Sequence, residues 1–303
     1  MIRFIARKVF AVAITLLIAL TIAFLLGQAS GDPVANILGP FAQPSQITAL
    51  RDQLGLNESL IQQYLHYMGS TLTGHLGDSL QFSQPNSALI ENRLPYTAEL
   101  LASGMFISIV VGLPLGVLAA RREGTWWDRA ASTIALLGQS VPVFWLALMA
   151  ILVFALRLGW LPAGQTGGFS NLILPAVTLS LYPLTYITRL TRSSMIEVLH
   201  EPYIESAYAR GLRPSRVLWV HGLRNALLPV LTVSALQTGL LLSGAVVVEY
   251  VYSWPGLGSL ALQAVQFRDF TLVQAVVAVG ALFFVLINLA VDLLYPVLDP
   301  RLR

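Results

Sequence analysis

The sequence contains no cysteine and a single lysine, Lys8. The first absence excludes disulfides and thiolate metal sites, and it leaves the redox compartment open because a thiol-free chain suits either side of a membrane. The second excludes a phosphate-binding loop of the Walker type, which needs a lysine after a glycine-rich turn; none adjoins Lys8. Neither a His-Glu-x-x-His pair nor a Gly-x-Ser-x-Gly turn occurs. The four histidines, at 66, 75, 200 and 221, are far apart and read as surface or interfacial residues. Charge is scarce too: 11% of residues are charged, against roughly 25% in soluble domains.

What is present is apolar surface. Hydrophobic residues make up 56% of the chain and the mean hydropathy is +0.71, the composition of an integral membrane protein. Charge-free runs cover residues 9–31, 100–120, 130–156, 158–188, 225–248 and 270–291, each able to supply the roughly 20 residues that span a bilayer as a helix. A further run, 250–267, is broken by Ser253, Trp254, Pro255, Gly256 and Gly258. It predicts a turn followed by a short helix on or dipping into the surface. A cleaved signal peptide is the alternative for the first run, but its apolar core exceeds the roughly 7 to 15 residues of such segments.

Placing the amino terminus inside puts fourteen basic residues on the cytoplasmic side, among them Arg121, Arg122, Arg189, Arg192, Arg210 and Arg213, against Arg51, Arg93, Arg157 and Arg268 outside. This bias orients spans. The expected fold is therefore all-α integral membrane, with six transmembrane helices and both termini inside. The net charge of +3 is an orientation signal, not a nucleic-acid footprint.

The organisation reads as an amino terminus and first span at 1–29, an extracytoplasmic segment at 30–96 and a core of five spans at 97–303. Asp32 and Pro33 can start a helix after the first span. The spacing of Ile47, Leu50, Leu54 and Ile61 predicts an amphipathic helix over 45–68, and Gly74, Gly77, Asp78, Pro85 and Asn86 mark turns. The segment is either a solvated loop or a small cap. Gly112 and Gly116, four apart, and Gly239 and Gly244 are candidate positions for close helix packing. Trp126 and Trp127 suit the headgroup level, a kink is expected at Ser140-Val141-Pro142, and Pro175 and Pro183 make the fourth span a candidate for bending. Glu99, Glu249 and Asp292 fall at span ends, where water-exposed anchoring is expected of an acid.

The most informative stretch is the basic inner loop at 197–227. Pro202 fits the first turn of a short amphipathic helix through Tyr203, Ile204, Ala207 and Tyr208, and Gly211 after Arg210 can supply a left-handed C-terminal position. Pro214 then predicts a second helix with Val217, Leu218 and Val220 near its apolar face and Arg213, Arg216 and Arg224 opposite. A purely lipid-binding patch does not need small residues at Ser206, Ala207 and Gly211, whereas close protein docking does.

Glu205-Ser206-Ala207, then Gly211, and later Leu228-Pro229 resemble the EAA loop of ABC importer permeases, with serine in place of the first alanine. Tyr203-Ile204 through Arg210-Gly211-Leu212, and Arg224-Asn225-Ala226-Leu227-Leu228-Pro229, resemble the dipeptide, oligopeptide and nickel branch. So do Gly31-Asp32-Pro33, Trp254-Pro255-Gly256-Leu257-Gly258, Arg268-Asp269-Phe270 and Leu298-Asp299-Pro300-Arg301. The resemblance implies a related second permease, two ATPase subunits that carry ATP and Mg, an extracytoplasmic solute-binding protein and a bacterial plasma membrane location. This chain would then hold no cofactor and hydrolyse nothing. It also implies that Tyr203, Glu205, Ser206, Ala207, Arg210, Gly211, Leu212 and Pro214 form a coupling helix on one ATPase, with a peptide, a glutathione-like molecule or a nickel chelate as cargo. The rival reading is a secondary transporter or channel, which should carry buried acids or discontinuous midplane helices. A non-transporting scaffold is the third.

Overall fold

The computed structural model describes residues 2–29, 34, 43–53, 56–129, 133 and 139–298. Among these the chain is helical, and only an isolated antiparallel bridge between Asp78 and Pro85 is strand-like. Its main helices are α1 (Ile2–Ala29), α2 (Pro44–Gln53), α3 (Leu60–Leu72), α4 (Asn86–Arg121), α5 (Val143–Ala150, widening into a π-helical Ile151–Arg157), α6 (Phe169–Leu199), α7 (Pro202–Ala209), α8 (Leu223–Val251), α9 (Leu257–Gln266) and α10 (Phe270–Leu298). Five stretches are long and apolar enough to cross a membrane: Phe10–Gln28, Asn86–Arg121, Phe169–Leu199, Pro214–Ser234 and Phe270–Ala290. Val143–Arg157 and Leu236–Val251 are shorter apolar helices.

The chain divides into two compact units, 1–96 with 255–286 and 97–254 with 287–303. In the first, α1 packs on α3: Phe24 meets Tyr64 edge-on at 5.3 Å, and the hydroxyls of Thr21 and Tyr64 lie 2.8 Å apart. The single helix expected over 45–68 is two. Ser59 caps α3 in a reciprocal capping box with Gln62, which fixes a helix start, and Ile61 is exposed. Ile90, Leu257, Leu260, Ala264, Leu272, Ala275 and Val276 form an apolar core. Above it Asp269 accepts from the Ser79 hydroxyl at 2.5 Å and the Gln81 amide at 3.1 Å. The turn and short helix expected after residue 250 are Tyr252-Ser253 and α9.

In the second unit α4, α5, α6 and α8 pack together. Gly112 and Gly116 are buried against α6: a Cβ added at Gly116 would lie 2.6 Å from Thr191 Cβ and 2.7 Å from Thr188 O, and one at Gly112 3.0 Å from Ile187 Cγ2. Hydroxyls reinforce that seam, Ser108 donating to Ser180 O at 2.9 Å and Thr188 to Gly112 O at 3.3 Å. Gly244 makes ordinary contact with Leu179 Cδ1 at 3.4 Å, and Gly239 is half-buried. Pro175 and Pro183 both sit inside a continuous α6. Pro142 ends one helical segment and precedes the next, with ψ 135: a break, where a kink was expected.

The water-exposed anchoring expected of Glu249 is overturned, because its side chain is fully buried. Thr97 donates to Glu249 Oε1 at 2.6 Å. Nearby along the chain Tyr252 is buried, with its hydroxyl 2.8 Å from that of Thr178 and donating to Ala147 O at 3.3 Å. Its carbonyl accepts from the Gln165 amide at 2.9 Å, and Gly164 lies so close that a Cβ there would fall 2.0 Å from the same oxygen. The Gly31-Asp32-Pro33 turn, most of the start of the third span, the Asp292 side chain and Asp299-Pro300-Arg301 lie outside the described residues.

Candidate functional site

The inner loop is built as one continuous bend between α6 and α8. After Leu199 the Glu201 amide returns to Val198 O at 3.1 Å, and Glu201, extended at ψ 141, caps α7 with Pro202 at its first position. The end of α7 is a Schellman turn: Gly211 N–H reaches Tyr208 O at 2.9 Å and Leu212 N–H reaches Ala207 O at 3.3 Å, with Gly211 at φ +73. Both bonds satisfy carbonyls that the helix end would otherwise orphan. Leu212 closes the motif by packing with the cluster of Ile204, Ala207 and Val217.

The second arm differs from the sequence expectation. Pro214–Arg216 is one turn that widens through a π-helical Val217–Gly222 and runs directly into α8, so it is the root of the long helix and not a separate surface helix. Val217 and Leu218 are buried as expected, whereas Val220 is 51% exposed. A deeper cluster of Val117, Ala120, Met195, Leu218 and Ala226 shares Val198 and Leu199 with the cluster under α7. The ends of α4 and α6 and the root of α8 therefore meet beneath the short helix.

Of the eight residues singled out in this loop, Ala207 is buried, Leu212 is half-buried, and Tyr203, Glu205, Ser206, Arg210, Gly211 and Pro214 are exposed. The smallness of Ala207 thus serves the chain's own packing, and the outward face is carried by Tyr203, Glu205, Ser206 and Arg210 with Tyr208. Glu205 sits in the first turn of α7, where a negative charge complements the helix dipole. Sequence reasoning missed Asn225, whose amide donates to Tyr203 Oη at 2.7 Å and to His221 O at 3.1 Å, tying α7 to α8. Its signal was present in the run Arg224-Asn225-Ala226, which carried no assigned role.

A neighbouring inner turn is clamped in the same unit. Asp128 accepts the Gly124 amide at 3.0 Å and both oxygens pair with the Arg192 guanidinium, Nη2 to Oδ2 at 2.8 Å and Nε to Oδ1. The hydrogen bonds from Arg192 hold the Asp128 carboxyl below the usual carboxylate range, against the opposing effect of burial. Trp126 and Trp127 are exposed, their rings tilted by 30° with centroids 3.8 Å apart.

Comparison with known proteins accounts for nearly all of the sequence. The family described as binding-protein-dependent transport system inner membrane component matches residues 112–303, and its N-terminal companion matches 1–101. A dipeptide transport system permease protein of Alkalihalophilus pseudofirmus is 41% identical, covering 90% of both chains. A glutathione transport system permease protein of Escherichia coli K12 is 38% identical, covering 100% of this chain and 99% of its own. A chain of the inward-facing MetNI methionine ABC transporter superposes with a TM-score of 0.60 over 70% of this chain and 96% of its own; at 21% identity it speaks to the fold alone. The chain is thus a multi-pass membrane protein of the binding-protein-dependent transport family, a permease subunit of an ABC importer in the peptide branch.

Proposed function

We propose that this chain pairs with a second, related permease in a bacterial plasma membrane, rests on two ATPase subunits that bind ATP and Mg, and receives small peptides from an extracytoplasmic binding protein. Six spans with both termini inside complete the reading, α5 and the rest of the 130–156 run forming the third. The names of the relatives support peptides first and a glutathione-like cargo next. The observation that carries the ATPase contact is α7 itself: a short helix rooted by Ile204, Ala207 and Leu212 that turns Tyr203, Glu205, Ser206 and Arg210 outward. A push on that face is delivered to the ends of α6 and α8, because Val198, Leu199 and Val217 lie directly beneath it. The external segment before α4 suits contact with the binding protein.

The test is cross-linking from Glu205→Cys and Ser206→Cys in the assembled complex, with uptake measured in proteoliposomes. Bonds to an ATPase subunit and uptake that stops without ATP are expected. Absence of any ATPase cross-link from either position, with uptake intact, defeats the docking assignment. The buried acid Glu249 favours a second reading, a gradient-driven carrier, since intramembrane acids mark ion paths. Against it, Glu249 is held by Thr97 and stands next to the end of α8, away from mid-span. Accumulation by this chain alone under an imposed proton gradient would establish the second reading and remove the first.

A further inference from the structure

The strip of α6 that faces away from its own core is polar where a lipid-facing helix should be apolar. Tyr182, Tyr186, Arg189 and Ser193 recur at helical spacing on one face, and all but the half-buried Tyr186 are exposed. The helix has 31 residues, about 46 Å, so a hydrocarbon core of about 30 Å centred on it would place Arg189, which the charge count puts on the cytoplasmic side, about 7 Å inside the boundary. A lipid-facing arginine at that depth is costly unless its side chain snorkels to the interface, and here it shares its face with two tyrosines and a serine. This face therefore borders water or protein.

The two arginines here differ in their freedom. Arg192 is occupied by Asp128. Arg189 has, among the described residues, only the Gln139 Oε1 at 3.4 Å, a long contact. Gln139 Nε2 is itself buried and, among the described residues, without a partner. Arg189, Arg192, Tyr186 and Ser193 line a cavity of about 410 Å³, and Gln139 and Tyr182 border a second, mostly apolar one of about 360 Å³ walled by Val141, Leu179 and Leu240. The rings of Tyr182 and Tyr186, 5.1 Å apart, join the two grooves. A buried amide donor, a guanidinium held only by one long contact among the described residues and amphipathic rings suit a carboxylate attached to an amide-rich body.

We infer that Tyr182, Tyr186, Arg189 and Ser193 form a solute-contacting strip of the translocation path, in which Arg189 receives the terminal carboxylate of a small peptide. The inference rests on the permease reading and names its substrate contacts. Arginine forks pair with carboxylates in a bidentate manner, so discrimination between a free acid and its amide is the signature of this role.

Because the chain lacks cysteine, single substitutions report cleanly. In the full complex in phosphatidylcholine proteoliposomes, other thiols replaced, Tyr186→Cys, Arg189→Cys and Ser193→Cys should react with a charged methanethiosulfonate about tenfold or more faster than Phe106→Cys and Leu115→Cys, at exposed apolar positions of α4. Alanyl-alanine should slow labelling at position 193; its C-terminal amide should not. Arg189→Gln should raise the KM for alanyl-alanine uptake about tenfold, with Arg189→Lys recovering part of it. Labelling at the α6 positions no faster than at 106 overturns the strip, and equal protection by acid and amide overturns the role of Arg189. If the wild-type complex shows no ATP-dependent uptake while positions 186, 189 and 193 still label rapidly, the permease reading fails and the water-lined strip stands.

Discussion

Replacing Gly211 separates two explanations for the glycine that closes α7. A Cβ there meets nothing within 4 Å, while φ is +73; inside this chain the requirement is conformational and not one of space. A left-handed backbone costs an L-residue about 1–2 kcal/mol, which lowers the population of the closed turn by roughly 5–30-fold, and a β-branched residue is worse still. Asparagine visits this region readily. The Schellman bonds from Gly211 to Tyr208 and from Leu212 to Ala207 should therefore survive Gly211→Asn, weaken in Gly211→Ala and largely open in Gly211→Val. Amide exchange at Leu212 reads the turn directly, and solute moved per ATP hydrolysed by the reconstituted complex reads its consequence. Protection of the Leu212 amide and solute moved per ATP should both fall in the order Gly, Asn, Ala, Val. An asparagine variant as uncoupled as the valine variant, with Leu212 still protected, would refute the backbone argument and transfer the requirement to a partner surface that tolerates no side chain.

Gly116→Ala should destabilise the solubilised protein by about 1–3 kcal/mol through overpacking, since its Cβ would sit 2.6 Å from Thr191 Cβ, whereas Gly244→Ala meets an ordinary 3.4 Å contact and should be near neutral; equal losses in thermal unfolding would contradict this. Glu249→Ala should cost about 1–3 kcal/mol by stranding buried polar groups, and Glu249→Gln, which keeps an acceptor for Thr97, should recover most of it in the same assay. The depressed pKa of Asp128 contributes stability above its ordinary value of about 3.9, lost as pH falls through the depressed value. Acid unfolding of the wild type should steepen in that window and that of Asp128→Asn should not; parallel acid limbs would show that the Arg192 pair carries no linkage.

The all-helical class and the long apolar helices were legible because charge-free runs report the solvent directly, without need of tertiary detail. The inner loop was legible at its punctuation: Pro202 opens α7 and Gly211 closes it, each through a backbone rule local to a few residues. Glu249 was misread because its partner is Thr97, 152 positions away, and an acid at the edge of an apolar run looks the same whether water or a threonine receives it. The single helix expected over 45–68 failed for a different reason. The Ser59 and Gln62 capping pair was present in the sequence, but the periodicity of Ile47, Leu50, Leu54 and Ile61 was given precedence over it. The π-helical root of α8 has no sequence mark of its own, since its register follows from seating Val217 and Leu218 under α7 and α6.

The two small-residue features of this chain serve opposite mechanical ends. At Gly116 the absence of a side chain brings α4 within contact of the α6 backbone, so the two helices cannot slide independently without separating, and packed interfaces resist such deformation. At Gly211 it permits a reversal of direction with open space around it, so the turn is fixed by two hydrogen bonds and the Leu212 contact alone. A load applied to the outer face of α7 thus meets a stiff base, where Val198 and Leu199 belong to both inner clusters, and a compliant link only at the turn itself. Stiffening belongs at the seam and adjustability at the turn if a small displacement of α7 is to move α6 and α8 as one body, and the chain distributes its glycines accordingly.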